Sequence, residues 1–177
     1  MNEFASPGSS PNAFAATRSS GGSIAVNPAF LQEIKDSNPD LWQATHRLRQ
    51  TCDSDDAPIE VTRRLIRQLD KLRDQLAQQF ALEESYGYLS VPYAVDESVD
   101  ELSRLAHAQH CSLYLEISEL VEHAEELQYR GVVVSKVREL IEAARGFEGR
   151  LREHEAIEND LVDRCFELTQ RSGHALK

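Results

Sequence analysis

Cysteine is scarce in this chain, and the three present, Cys52, Cys111 and Cys165, are scattered and odd in number. That pattern argues against a disulfide framework and makes a reducing, cytoplasmic setting the expectation. Long apolar runs are missing as well. Nothing approaches the ~18 residues that would span a bilayer, and the N-terminus carries neither the basic region nor the apolar stretch of a secretory signal. Positive charge is in deficit, with 19 Lys and Arg against 30 Asp and Glu, for a formal net charge of −11. Such a surface repels phosphate backbones and anionic headgroups, so neither nucleic acid nor membrane is an expected partner. No glycine-rich phosphate loop, nucleophile elbow or Cys-x-x-Cys pair occurs, which removes the commonest signatures of nucleotide binding, acyl transfer and thiol redox chemistry. Strand alternation and internal repeats are not evident either.

Amphipathic helix dominates what remains. Residues 1–26, rich in Ser, Gly, Pro, Asn and Ala without an apolar period, read as a disordered leader. From Asn27-Pro28 a first helix is expected to about Cys52, kinked or split at Asn38-Pro39, because proline disrupts a helix interior and restricts the residue before it. After the cluster Asp53–Pro58, a second helix runs from Pro58 to about Glu84 with the seam Val61, Leu65, Leu69, Leu72, Leu76, Gln79, Glu83. The segment Tyr86–Tyr93 reads as an aromatic loop over one end. A third helix, Asp96 to about Tyr129, has the seam Val99, Ser103, Ala106, His110, Leu113, Ile117, Leu120, Ala124, Leu127, and Gly131 supplies a stop. The fourth, about Val132 to Gln170, carries Val133, Val137, Leu140, Ala144, Phe147, Leu151, His154, Glu158, Leu161, Cys165 and Leu168. The fold class is therefore all-α, an up-down-up-down four-helix bundle over residues 27–170 with a short tail at 171–177.

Five of the polar seam positions could carry chemistry: Gln79, Glu83, His110, His154 and Glu158. Polar groups in a seam are costly unless satisfied, and in a bundle a metal ion can satisfy them. The pairs Gln79/Glu83 and His154/Glu158 are spaced i, i+4, so each pair shares one helix face about 6 Å apart. Antiparallel counting around a turn near residue 130 sets His110 opposite about residue 150, one turn from His154. Imidazole with carboxylate suits Fe, Mn or Zn. The competing expectation is a metal-free interaction or structural module whose seam polar groups are hydrogen-bonded.

The segment Leu76-Ala77-Gln78-Gln79-Phe80-Ala81-Leu82-Glu83-Glu84, together with His154-Glu155-Ala156-Ile157-Glu158-Asn159, resembles the hemerythrin-like (HHE cation-binding) family over roughly residues 28–170. The resemblance implies a four-helix bundle holding a non-haem di-iron site through histidines and carboxylates on all four helices. Family roles include oxygen carriage or sensing, iron sensing, and stress or repair functions. The family's His-Phe-x-x-Glu of the second helix is matched at Glu83, with Gln79 in the histidine place. Of two histidines four apart on the third helix, His110 matches the second and Ala106 stands at the first. His154 and Glu158 match on the fourth. On the first helix, counting across the Asp53–Pro58 turn brings Asn38 level with Gln79, while His46 falls about 12 Å further along. The expected ligands are Glu83, His110, His154 and Glu158, with Gln79, Asn38 and His46 as weak or supporting candidates. The expected cofactor is iron in a reduced site, mononuclear or an incomplete di-iron centre with at most one ion per chain, or none where the site is degenerate, and the expected role is binding or sensing rather than turnover.

Overall fold

The computed structural model describes residues 22–174. They form five α-helices and a two-stranded ribbon: β1 (Ser23–Val26), α1 (Pro28–Ser37), α2 (Pro39–Cys52), α3 (Pro58–Leu82), β2 (Tyr88–Val91), α4 (Glu97–Arg130) and α5 (Val134–His174). The molecule is all-α in class. Each of the first three helices opens on proline, which suits a first turn whose N–H would lack an intrahelical partner. The Asn27 side chain caps α1 by accepting from Phe30 N, and that of Asp96 caps α4 by accepting from Ser98 N and Val99 N. Gly131, at φ 103°, ends α4 in a backbone conformation that side chains resist.

The split at Asn38-Pro39 is real, so the first expected helix is two. The α1–α2 pair packs on α5, α2 on α3, α3 on α4, and α4 on α5, closing a ring. Paired side chains give the directions. Gln109 meets His154 and Glu116 meets Arg150, so α4 and α5 are antiparallel. Lys35 meets Glu155 and Arg49 meets Glu148, so α1–α2 also opposes α5.

The seams read from sequence are buried from Val61 through Glu83, from Val99 through Ala124, and from Val137 through Leu161. Val133 is an exception: it is exposed, because it lies in the connection before α5 begins.

Three boundaries differ from expectation. Ser23–Val26, assigned to the disordered leader, is a strand antiparallel to Tyr88–Val91 in the register Ser23↔Val91 to Val26↔Tyr88. Its partner is far away in sequence, and Asp100 Oδ1 also accepts its Ile24 N–H at 2.7 Å, so periodicity within the segment does not reveal it. The leader's residues 1–21 lie outside the described residues. Secondly, the second expected helix stops at Leu82 and widens into a π-turn, Glu83–Gly87, that leads directly into β2. The aromatic loop is therefore partly ordered as turn and strand. Thirdly, α5 continues beyond Gln170 to His174, so the tail expected at 171–177 starts as helix, and residues 175–177 are outside the described set.

Apolar packing divides into two clusters. The larger holds Leu41, Leu48, Leu65, Leu69, Leu72, Leu76, Leu113, Ile117, Phe147 and Leu151 among others. The smaller comprises Leu31, Tyr88, Val99, Ala106, Leu161 and Val162. Along α4 the order is Ala106, His110, Leu113, and along α5 it is Leu151, His154, Glu158, Leu161. The polar seam residues therefore form a layer between the two clusters.

Candidate metal centre

Glu83 enters this layer from the first residue of the π-turn, His110 from the middle of α4, and His154 and Glu158 from successive turns of α5. One donor atom from each of the four lies within 4.8 Å of the others, and they are 0%, 2%, 0% and 0% exposed. The sequence-derived set is brought together in full, and these residues could hold a metal ion.

Their hydrogen bonds aim the free lone pairs inward. His110 Nδ1 is 3.2 Å from Glu84 Oε1, and His154 Nδ1 is 3.1 Å from Gln109 Oε1. Both partners are acceptors, so each Nδ1 donates outward and each Nε2 is the ring nitrogen turned toward the other donors. This outer carboxylate or amide oxygen is the usual way a ligating imidazole is oriented. His110 Nε2, His154 Nε2, Glu83 Oε2 and Glu158 Oε2 are all buried without a hydrogen-bond partner. Buried polar atoms are rarely left so; here His110 Nε2, His154 Nε2 and Glu83 Oε2 converge, whereas Glu158 Oε2 faces the Lys35 ammonium. His110 Nε2 lies 3.3 Å from Glu83 Oε2 and 3.8 Å from Glu158 Oε1, while His154 Nε2 lies 3.6 Å from Glu158 Oε1. Donors bonded at about 2.1 Å around a tetrahedral ion are about 3.4 Å apart. The donor set therefore suits a small divalent ion once the donors, now within 4.8 Å of one another, draw in around it.

Aromatic walls fix the imidazoles. Phe80 stacks on His110 with centroids 4.2 Å apart and rings 10° from parallel, and presents an edge contact to His154. Tyr88, delivered by β2, donates its hydroxyl to Glu158 Oε1 at 2.8 Å and closes the site on the side of the smaller cluster.

Ionisation follows from this enclosure. Burial, and then the nearby Glu158 charge, push the Glu83 carboxyl up to about 9. Burial also favours the neutral acid at Glu158, but His110, His154, Lys35 and Tyr88 outweigh it and hold that carboxyl below its ordinary value. Burial lowers His154 to about 4, leaving a neutral imidazole at pH 7, the form that binds metals. Burial and Glu158 drive the Tyr88 hydroxyl up, so it stays protonated and donates to Glu158.

Of the weaker candidates, Gln79 and Asn38 meet as the register count requires. Asn38 Nδ2 donates to Gln79 Oε1 at 3.1 Å, and Gln79 Nε2 donates to Glu83 Oε1 at 2.9 Å. Gln79 thus positions Glu83. Both residues line a cavity of about 370 Å³ with Phe30, Glu33, Ile34, Ser37, Gln78 and Leu82. His46 is exposed on α2, with its Nε2 3.0 Å from Gln50 Nε2, and takes no part.

Sequence reasoning missed Lys35, Glu155 and Tyr88. The Lys35 ammonium is buried against Glu155 Oε2 at 3.0 Å and Glu158 Oε2 at 3.4 Å. The second contact is an ion pair without hydrogen-bond alignment. Burial lifts the Glu155 carboxyl to about 7, with Lys35 pulling against it. The signal was available, since Lys35 follows Leu31 by four residues and precedes Asn38 by three on the inner face of α1. Tyr88 had no such signal, because its position depends on the β1 pairing.

No protein-family profile, curated protein or solved structure matches the chain.

Proposed function

We propose that this protein is a hemerythrin-like helical bundle that binds one divalent transition-metal ion, iron foremost, through Glu83, His110, His154 and Glu158. In this reading α1 and α2 together form the first helix of a four-helix, up-down-up-down arrangement. The carrying observation is that three unpartnered buried atoms, His110 Nε2, His154 Nε2 and Glu83 Oε2, meet beside Glu158 Oε1. Two nitrogen and two oxygen donors suit Fe, Mn or Zn over softer or harder ions.

Charge supports the same reading. Glu83, Glu155 and Glu158 are buried carboxylates, and Lys35 is the buried ammonium set against them. Fully ionised, they leave two formal negative charges, which a single divalent cation balances. Such an ion would also supply the neutralisation for which a proton on Glu83 otherwise substitutes.

The role is binding or sensing rather than turnover. The layer is walled by Phe80, Tyr88 and the two apolar clusters, and Glu84, Gln109 and Gln79 use their hydrogen bonds to hold the donors. Elemental analysis of protein purified without chelator or added metal tests the proposal. Near-stoichiometric Fe, Mn or Zn is expected. Protein that is metal-free and takes up none of the three on anaerobic reconstitution would overturn it.

A further inference from the structure

Lys35 is an uncommon thing for a helix bundle to bury, because an ammonium loses several kcal/mol of hydration when enclosed. Its surroundings explain why it is tolerated. Nζ is 2.8 Å from Asn159 Oδ1, 3.0 Å from Glu155 Oε2, 3.4 Å from Glu158 Oε2 and 3.5 Å from the Glu155 carbonyl oxygen. This is an all-oxygen cation shell drawn from two turns of α5. Glu158 is shared between it and the candidate metal centre. Its Oε1 faces His110 Nε2 and His154 Nε2, and its Oε2 faces the ammonium. A carboxylate turned this way joins two adjacent cation positions, one lined by imidazoles and one occupied by Nζ.

We propose that the Lys35 ammonium, held between Glu155 and Glu158, stands in place of a second metal ion and limits this centre to one. The inference rests on the metal-binding reading above and adds to it the composition of the centre, one divalent ion beside one fixed organic cation. Two physical effects enforce the limit. Nζ fills the space that a second ion needs, and its charge repels a second divalent ion at the roughly 3.5–4 Å separation of two-metal sites. The donors Glu155, Asn159 and Glu158 would otherwise form an oxygen-rich position of the kind hard divalent ions accept. Lys35 thus decides the stoichiometry of the site without touching the first ion.

The test is reconstitution of the full chain with Mn(II) under anaerobic conditions, reading bound metal per chain and the electron paramagnetic resonance of the bound ions. The wild-type chain is expected to take one Mn(II) with the spectrum of an isolated ion, and so is Lys35→Arg, which keeps the charge. Lys35→Glu and Lys35→His, which replace the cation by a donor, are expected to take two, with the exchange-coupled spectrum of a neighbouring pair. Helical circular dichroism shows which variants are folded. A wild-type chain that binds a coupled pair overturns the inference while leaving metal binding intact, and that arm needs no variant. Folded donor variants that still bind a single ion overturn it as well. A wild-type chain that binds no Mn(II), Fe(II) or Zn(II) removes the metal-binding reading itself, and this inference with it.

Discussion

Asn38 donates to Gln79 at 3.1 Å across the gap between the α1–α2 break and α3, and Gln79 passes the contact on to Glu83 at 2.9 Å. A half-exposed amide at a proline-induced break is thereby connected to a fully buried carboxylate. The chain of bonds uses both ends of Gln79: its oxygen accepts and its nitrogen donates.

Removing the middle of that relay should therefore cost more than removing its outer end. Gln79→Ala leaves Glu83 Oε1 buried without its donor, at about 1–3 kcal/mol, and should weaken metal affinity by about 10–100-fold, the usual effect of losing a group that orients a ligand. Asn38→Ala, at a position water can reach, should cost less than about 1 kcal/mol. Thermal unfolding and metal titration of both variants check the ranking. Equal effects would mean that Gln79 does not position Glu83.

Imidazoles separate the site from the surface even more sharply. His154 is fully buried with its Nε2 3.6 Å from Glu158, whereas His46 is exposed on α2. His154→Ala should abolish near-stoichiometric metal binding, and His46→Ala should leave metal content unchanged. Elemental analysis of the two purified variants side by side is sufficient, and equal losses would place the ion elsewhere.

The parts of this arrangement that could be read from sequence are those governed by local periodicity. The polar residues Glu83, His110, His154 and Glu158 stood out because each interrupts a helical apolar stripe, and the short connection at Gly131 set α4 against α5 in a register that counting could follow. Asn38 was placed opposite Gln79 by the same arithmetic. Tyr88 and β1 were not legible, since the pairing of Val26 with Tyr88 joins segments 62 residues apart and neither has a period of its own. The π-turn at Glu83 was hidden for a related reason. Helical spacing predicts which face Glu83 occupies, but not that the backbone widens there to meet β2. Lys35 shares the inner face of α1 with Leu31, but lysine at a helix edge ordinarily reaches solvent, so its position alone does not mark it as buried.

Gly87 offers a test of how the ribbon and α1 are joined. It ends the π-turn, and a Cβ built on it would collide with the side chain of Leu31. Leu31 is 1% exposed and lies one turn before Lys35 on α1, so it has little room to yield. Gly87→Ala should destabilise the protein by about 1–3 kcal/mol through overpacking, and should disturb the Lys35 ion pairs along with it. For a chain of this size the cost corresponds to a fall in Tm of about 2–4 °C per kcal/mol. An unchanged Tm would show that α1 can shift freely against the turn.

The final prediction concerns protons. In the metal-free protein Glu83 titrates near 9, against an ordinary value of 4.5, because burial and Glu158 disfavour its charge. The folded state therefore keeps a proton that the unfolded state has lost, and this group's contribution to stability declines as pH rises toward and through 9. Glu155, raised to about 7, has the same sign over a lower window. His154 has the opposite sign: lowered to about 4, it stabilises fully above about 6.5 and loses that contribution as pH falls toward 4. Between pH 7 and 9 Glu83 is the group among these still changing, so metal-free protein should lose stability by up to about 1.4 kcal/mol per pH unit there. A bound divalent ion replaces the proton, so the loaded protein should not show this decline. Binding at pH 8 should release about one proton, since His154 is already neutral. Calorimetric metal titration in buffers of different ionisation enthalpy measures that proton, and Glu83→Gln should abolish both its release and the alkaline decline. A metal-free Tm that is flat or rising from pH 7 to 9 would show that Glu83 is already ionised in the folded protein.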